Sequence, residues 1–166
     1  MKKADIWISA VLYMALGIVI LTIVLAAGIP IINKIKDKNL AIETKEVMIT
    51  IDKNIRAVYN EGPGSRRPLK LEIKKGSLVV DNSNETIEYQ LRTSVLLSQP
   101  DIEIQEGNLK ILTQTTTAEK EYLTRLKLDY NGILNLTLQS SSNILSGTNN
   151  LVITNIGNNE ILMTVI

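Results

Sequence analysis

The chain has 166 residues, a formal net charge of +1 and no histidine, cysteine or phenylalanine. That length supports one modest domain beside a long helix, and the near-neutral charge leaves no electrostatic footprint for nucleic acid. Without cysteine there is no disulfide or thiolate metal site, and without histidine the commonest general base and metal ligand are missing.

The chain begins with Lys2-Lys3-Ala4-Asp5 and then runs from Ile6 to Ile32 without a charge. A bilayer is crossed by about 20 apolar residues at ~1.5 Å each, so this run is long enough to span with some tilt. A cleaved secretory signal has a shorter apolar core, of about 7–15 residues, followed by a small-residue site. Here the small residues Ala26-Ala27-Gly28 lead straight into Ile29-Pro30-Ile31-Ile32. The run therefore reads as a membrane anchor or as the packing surface of an assembly.

Charges return after Ile32, but apolar residues keep a helical beat. Met48, Ile51, Ile55 and Val58 are spaced three, four and three apart, on one face, and Leu40 and Val47 roughly extend it. One helix is predicted from about Asp5 to Tyr59. Gly28 and Pro30 mark the position expected to kink or unwind, because proline removes a donor and crowds the preceding turn. Glu61-Gly62-Pro63-Gly64 is a strong stop.

Beyond the stop the period changes to two. Leu69, Leu71 and Ile73 alternate with Lys70, Glu72 and Lys74. Leu78 and Val80 follow Lys75-Gly76, and Ile87, Tyr89 and Leu91 follow a polar turn. Hairpins pairing Ile73 with Leu78 and Val80 with Ile87 place these rows on one face. A two-residue turn at Glu106-Gly107 is expected to bring Ile102 and Ile104 against Ile111 and Leu109. Leu126 and Leu128 must share a face with Leu134, Leu136 and Leu138. A two-residue Asn131-Gly132 turn separates them. A three-residue loop with a left-handed Gly132 pairs Leu128 with Leu134 and unites them. Ser140 to Asn150 reads as a polar loop, and Leu151-Val152-Ile153 and Ile161-Leu162-Met163 as closing strands. Roughly eight or nine short strands without a crossover helix predict an α+β protein. Its long N-terminal helix, transmembrane and then amphipathic, precedes an antiparallel β-sandwich or barrel-like head.

Glu103, Glu106, Glu119 and Glu121 follow strand alternation and lack the spacing of an oxygen-ligand loop, so they read as solvent-facing residues and not as a metal site. No nucleophile–base pair, phosphate-binding glycine loop or zinc pattern is present, so neither catalysis nor a cofactor is expected. Asn84-Glu85-Thr86 and Asn135-Leu136-Thr137 fit the N-glycosylation acceptor pattern. Trp7 suits a membrane-interface anchor, whereas Tyr13 lies deep enough to pack between helices.

Three features in chain order resemble a type IV pilin of the archaeal kind. A short basic leader, Lys2-Lys3-Ala4, precedes the apolar helix. That helix continues into an amphipathic half, with Gly28-Ile29-Pro30 as its loosening point. A cysteine-free β-rich head follows. The resemblance implies a leader of residues 1–4, cut behind Ala4 by a prepilin peptidase that recognises Lys2 and Lys3, leaving Asp5 as the new terminus. It implies a filament-core helix over residues 5–32, an amphipathic continuation over 33–60 and an extracytoplasmic head over 65–166. The partners implied are the lipid bilayer before assembly, then copies of the chain or related pilins in a helical surface filament serving adhesion. The cytoplasmic placement of the N-terminus comes from the resemblance alone, since lysines flank both ends of the apolar run. Asp5 is either a carboxylate that pairs with a neighbouring subunit's amino terminus or a helix-start residue favoured by the dipole. The alternative reading is a non-polymerising single-pass protein that presents its head as a binding module.

Overall fold

The computed structural model describes residues 2–117 and 121–166, with no side chain described at residues 2–6 and 8. Met1 and Glu119, each part of an expectation above, lie outside the described residues. Helix α1 (Lys2–Glu61) leads into eight strands: β1 (Arg66–Asp81), β2 (Thr86–Thr93), β3 (Ile104–Glu106), β4 (Leu109–Thr115), β5 (Tyr122–Asp129), β6 (Asn135–Gln139), β7 (Ile144–Gly157) and β8 (Glu160–Val165). The chain divides into two compact units, Met1–Lys36 and Asp37–Ile166.

The first unit is helix alone. It is continuous through Gly28, Ile29 and Pro30, so the expected local unwinding is not seen. Its large apolar side chains are exposed on every side of the helix.

In the second unit the helix resumes as the spine of a head. Ala41, Thr44, Met48, Ile51, Ile55 and Val58 are buried, at alternating spacings of three and four. This is the expected stripe, extended by Ala41 and Thr44. The Thr44 hydroxyl donates to the Leu40 carbonyl at 2.8 Å, which removes the cost of burying it. Each large apolar member of the stripe contributes about 1.5–3 kcal/mol by leaving water.

The helix end is tightly satisfied. Gly62 adopts φ 91° and its amide donates to Tyr59 O at 3.3 Å. Ser65 Oγ donates to Val58 O at 2.7 Å, and Asn155 Nδ2 reaches Val58 O at 3.2 Å. Carbonyls of the last turn therefore find partners in the loop that follows the helix and in β7.

The strands form one open, mostly antiparallel sheet in the order β3-β4-β5-β2-β1-β7-β8-β6. The α+β class is as expected, and the strand count falls within the expected range. β6 runs parallel to β8, the one departure from antiparallel pairing. Four strands separate β5 from β6, which in a flat sheet is five spacings, about 24 Å. The six residue steps from Asp129 to Asn135 reach at most about 20 Å. The sheet must therefore curl, with the helix stripe packed into its hollow.

Four local expectations are corrected. Lys75-Gly76 is not a hairpin turn but a bulge inside β1. Ile73 pairs with Gly147 and Leu78 with Leu145, so both stay on β7 across the irregularity. Odd-numbered residues face inward up to Ile73 and even-numbered ones from Leu78, and the extra residues produce that change of phase. Gly76 is required there: its φ is 91°, and a Cβ would lie 2.2 Å from Gln90 O. Val80 does pair with Ile87, as expected.

Next, the β3–β4 turn sits one residue later, at Gly107-Asn108, so Ile104 faces Ile111 while Glu106 faces Leu109 and Ile102 falls outside the strand.

Third, Leu128 does not pair with Leu134. β5 pairs with β2 and β4, and Leu128 opposes Ile87 and Leu109. Tyr130 O instead accepts from Ile133 N and Leu134 N, at 2.9 and 3.2 Å, folding a turn that directs the chain to β6. Gly132 is left-handed and Leu134, Leu136 and Leu138 are buried, as required, but against a different neighbour.

Last, the expected polar loop 140–150 is strand from Ile144 onward. Its first half has an almost wholly exposed surface, so polar composition concealed the pairing with β1.

Candidate functional surface

Two features of the molecule have functional potential: the apolar helix of the first unit, and the polar groups that organise the head. The helix is long and apolar enough to cross a membrane, and none of that apolar segment is buried. Trp7 and Tyr13 are exposed at 75% and 76%. Thr22 satisfies its own hydroxyl by donating to Ile18 O at 2.8 Å, the pairing that a polar residue needs wherever a helix is surrounded by lipid. A helix apolar all round requires an apolar environment on all sides.

In the head, Asp37 marks where the helix is first gripped. Its Oδ2 accepts from Ser94 N at 3.0 Å and Ser94 Oγ at 2.6 Å, and Lys75 Nζ stands 3.7 Å from Oδ1. The Ser94 hydroxyl, opposed by burial and helped by the Ser94 amide and Lys75, holds the carboxyl below its ordinary value. Further along, Asp52 gathers Tyr130 Oη at 2.9 Å, Asn108 Nδ2 at 3.1 Å and Arg56 Nε at 2.9–3.0 Å. This ties the helix to the β3–β4 turn and to the turn after β5. Burial, reinforced by the Asp52 charge, pushes the Tyr130 phenol far up. Tyr89, buried with its hydroxyl on Lys75 O at 2.8 Å, is also raised by burial. These groups are locks.

The sheet edges are managed one by one. β3 is three residues long. β6 is clasped by Asn82, whose Oδ1 accepts from Leu138 N at 3.0 Å while its Nδ2 donates to Leu138 O at 3.5 Å. Residues 66–73 of β1 pair with β7 alone, because β2 joins only from Ser77. That free edge carries Pro68, Lys70 and Lys74, residue types that discourage further pairing. Beside it lies an open groove of about 310 Å³ lined by Glu43, Val47, Leu69 and Glu72, bridged by Lys74 Nζ to Glu43 Oε2 at 2.9 Å.

The positions singled out in the sequence are not brought into one site. The backbone of Lys2, Lys3, Ala4 and Asp5 belongs to α1, and their side chains are not among those described. Gly28 and Pro30 lie inside the continuous helix. Glu103 is exposed, Glu106 pairs with Lys45, and Glu121 lies 3.7 Å from Arg92. Among the described residues no acidic cluster has metal-ligand geometry. Asn84 and Asn135 are exposed. Sequence reasoning missed Asn82, Asp52 and Asn155, because nothing local signals a side chain whose partner lies tens of residues away.

The chain matches no protein-family model, no curated protein and no solved structure.

Proposed function

We propose that the chain is a structural subunit, major or minor, of an archaeal type IV pilus-like surface filament. It polymerises through the helix that precedes Asp37 and carries the head outward for adhesion or cell-surface contact. One observation carries the reading: an apolar helix with no buried face belongs to a chain whose other unit is a finished, self-satisfied head. The head has no use for that helix in its own core.

The energetics favour assembly once the helix leaves lipid. In a bilayer the tails are as apolar as leucine, so association there has no hydrophobic drive. Outside it, burying even ~1,500 Å² of apolar surface against copies yields tens of kcal/mol before entropy costs, at ~25 cal/mol per Å². A head-to-tail contact that does not close propagates as a fibre. In this reading the curled sheet is a barrel-like sleeve around the helix stripe and forms the outer wall. Lys2 and Lys3 are the recognition residues of a prepilin peptidase, Ala4 ends the leader, and Gly28 and Pro30 give the helix local freedom when it packs.

Mass spectrometry of the amino terminus of the native protein tests the reading. The expected result is Asp5 as first residue, with filaments bearing the head in sheared surface fractions. Molecules that retain Lys2, Lys3 and Ala4 and sediment only with membrane would end the filament reading. They would leave instead a single-pass protein that presents its head as a binding module.

A further inference from the structure

The turn at 82–85, between β1 and β2, meets β6 along one rim of the head. Asn82 clasps Leu138 through both backbone groups. Three residues on, Glu85 O accepts from Tyr130 N at 3.0 Å, and Tyr130 O accepts from Leu134 N at 3.2 Å, directly before Asn135. The rim therefore unites the two segments that contain Asn84-Glu85-Thr86 and Asn135-Leu136-Thr137. No other asparagine in the chain has serine or threonine two positions on.

Both acceptor side chains are exposed. Asn135 alternates with the buried Leu134 and Leu136, so it points away from the core. Asn84 Nδ2 donates to Asp81 Oδ2 at 2.6 Å. An N-linked amide keeps one N–H, so that bond survives modification. Thr86, by contrast, is buried, its backbone opposite Asp81 and Asp129. A transferase that reads the threonine must act before the hairpin closes.

We propose that this rim bears N-linked glycan, with Asn84 and Asn135 as acceptors, added as the unfolded head emerges from the membrane. The proposal rests on the head being extracytoplasmic, as the filament reading requires. The donor is an oligosaccharide on a polyprenyl-phosphate carrier. A bond forms between the asparagine Nδ2 and the sugar C1. The bond from C1 to the carrier phosphate breaks, the phosphate leaves with the electron pair, and the amide proton passes to a base of the transferase. The finished sugars cover the Asn82 clasp and project from a rim where they displace no core side chain.

The test is glycopeptide mass spectrometry on the full chain from the cells that make it, beside protease treatment of those cells intact. The expected result is a hexose-containing increment on at least one acceptor peptide of molecules whose heads are cut from outside. Asn84→Gln and Asn135→Gln each abolish the increment at their own site. Thr86→Ser retains the one at Asn84, and Thr86→Val loses it. Heads that are cut on intact cells, with both peptides at their unmodified mass, overturn the glycan and leave the outward placement standing. Heads that resist the protease until the cells are opened overturn the outward placement and the glycan with it.

Discussion

Leu21 and Ile51 sit in the same helix and are exposed at 58% and 0%. The difference lies in what surrounds each residue in sequence. Around Leu21 every position but Thr22 is apolar, so no face can be assigned to a core. Around Ile51 the apolar positions fall into a stripe, and Asp52, Lys53 and Arg56 take the remaining faces. An all-round apolar helix demands an all-round apolar environment, which is lipid or copies of itself. A striped helix demands one partner surface, and the curled sheet supplies it. The head also guards its strand edges, with Asn82 on β6 and with Pro68, Lys70 and Lys74 on β1. The helix before Asp37 guards nothing. Exposed apolar side chains are thus concentrated in one segment and scattered singly over the head.

The largest effect should come from separating the two regions. A head of residues 37–166 is expected to stay monomeric in water without detergent, and the full chain is expected to enter membranes or assemble. The driving difference is tens of kcal/mol on the area estimate above. Size-exclusion chromatography with light scattering checks it. A full chain that is monomeric and detergent-free would show the apolar helix folded against its own head, and the contrast would vanish.

The same substitution in each region sharpens the comparison. Ile51→Ala leaves a cavity in the head and should cost about 2–5 kcal/mol in denaturant unfolding. Leu21→Ala should shift head unfolding by less than about 0.5 kcal/mol, since Leu21 is exposed and belongs to the other unit. Its effect should appear in filament yield instead. Equal costs in the two assays would mean that the two regions are not independent.

Asn82→Ala tests the edge clasp. It leaves the Leu138 amide and carbonyl without their partner and should cost about 1–3 kcal/mol. It should also leave β6 free to pair with another chain, so head aggregation should rise on mild heating, as seen by light scattering. A variant that loses stability without aggregating would assign edge protection to something other than Asn82.

Much of this was legible from the chain. The stripe Met48-Ile51-Ile55-Val58, the stop at Gly62 and the inward faces of Leu126, Leu128, Leu134 and Leu136 all follow from periodicity. What could not be read was connectivity. Alternation fixes which face a strand buries but not which neighbour it meets, so Leu128 and Leu134 were given the right face and the wrong partner. The Lys75-Gly76 bulge looks like a turn because both need a left-handed glycine at a change of phase. The strand at 144–150 hides behind polar residues because its first half is exposed. The rim that unites Asn84 with Asn135 depends on the Asn82–Leu138 clasp and the Glu85–Tyr130 bond, which nothing local announces. Of the surface that carries the functional proposal, the apolar helix was evident at once, since its signal is composition alone.

The smallest predicted effect lies at alkaline pH, and it again separates head from helix. Burial first, and then the Asp52 charge, raises the Tyr130 phenol above its ordinary value of 10.0, and burial raises Tyr89 as well. A raised value means that the folded head keeps a proton which the unfolded chain releases near pH 10. The stability from each tyrosine is therefore complete below that pH and is lost as pH rises from there toward the folded value. Each retained proton contributes a slope of about 1.4 kcal/mol per pH unit in that window. Tyr130→Phe keeps the ring in place, and Asp52 still holds Arg56 and Asn108. The variant should lose about 1 kcal/mol at neutral pH, where one hydrogen bond is gone, and should unfold with a shallower slope above pH 10. Tyr13 lies on the exposed apolar helix of the other unit, so Tyr13→Phe is the control and should leave head unfolding unchanged. If Tyr130→Phe and wild type lose stability in parallel above pH 10, the Tyr130 hydroxyl is not sealed beneath the sheet. The tie between Asp52 and the turn after β5 would then not be what holds the helix in the hollow.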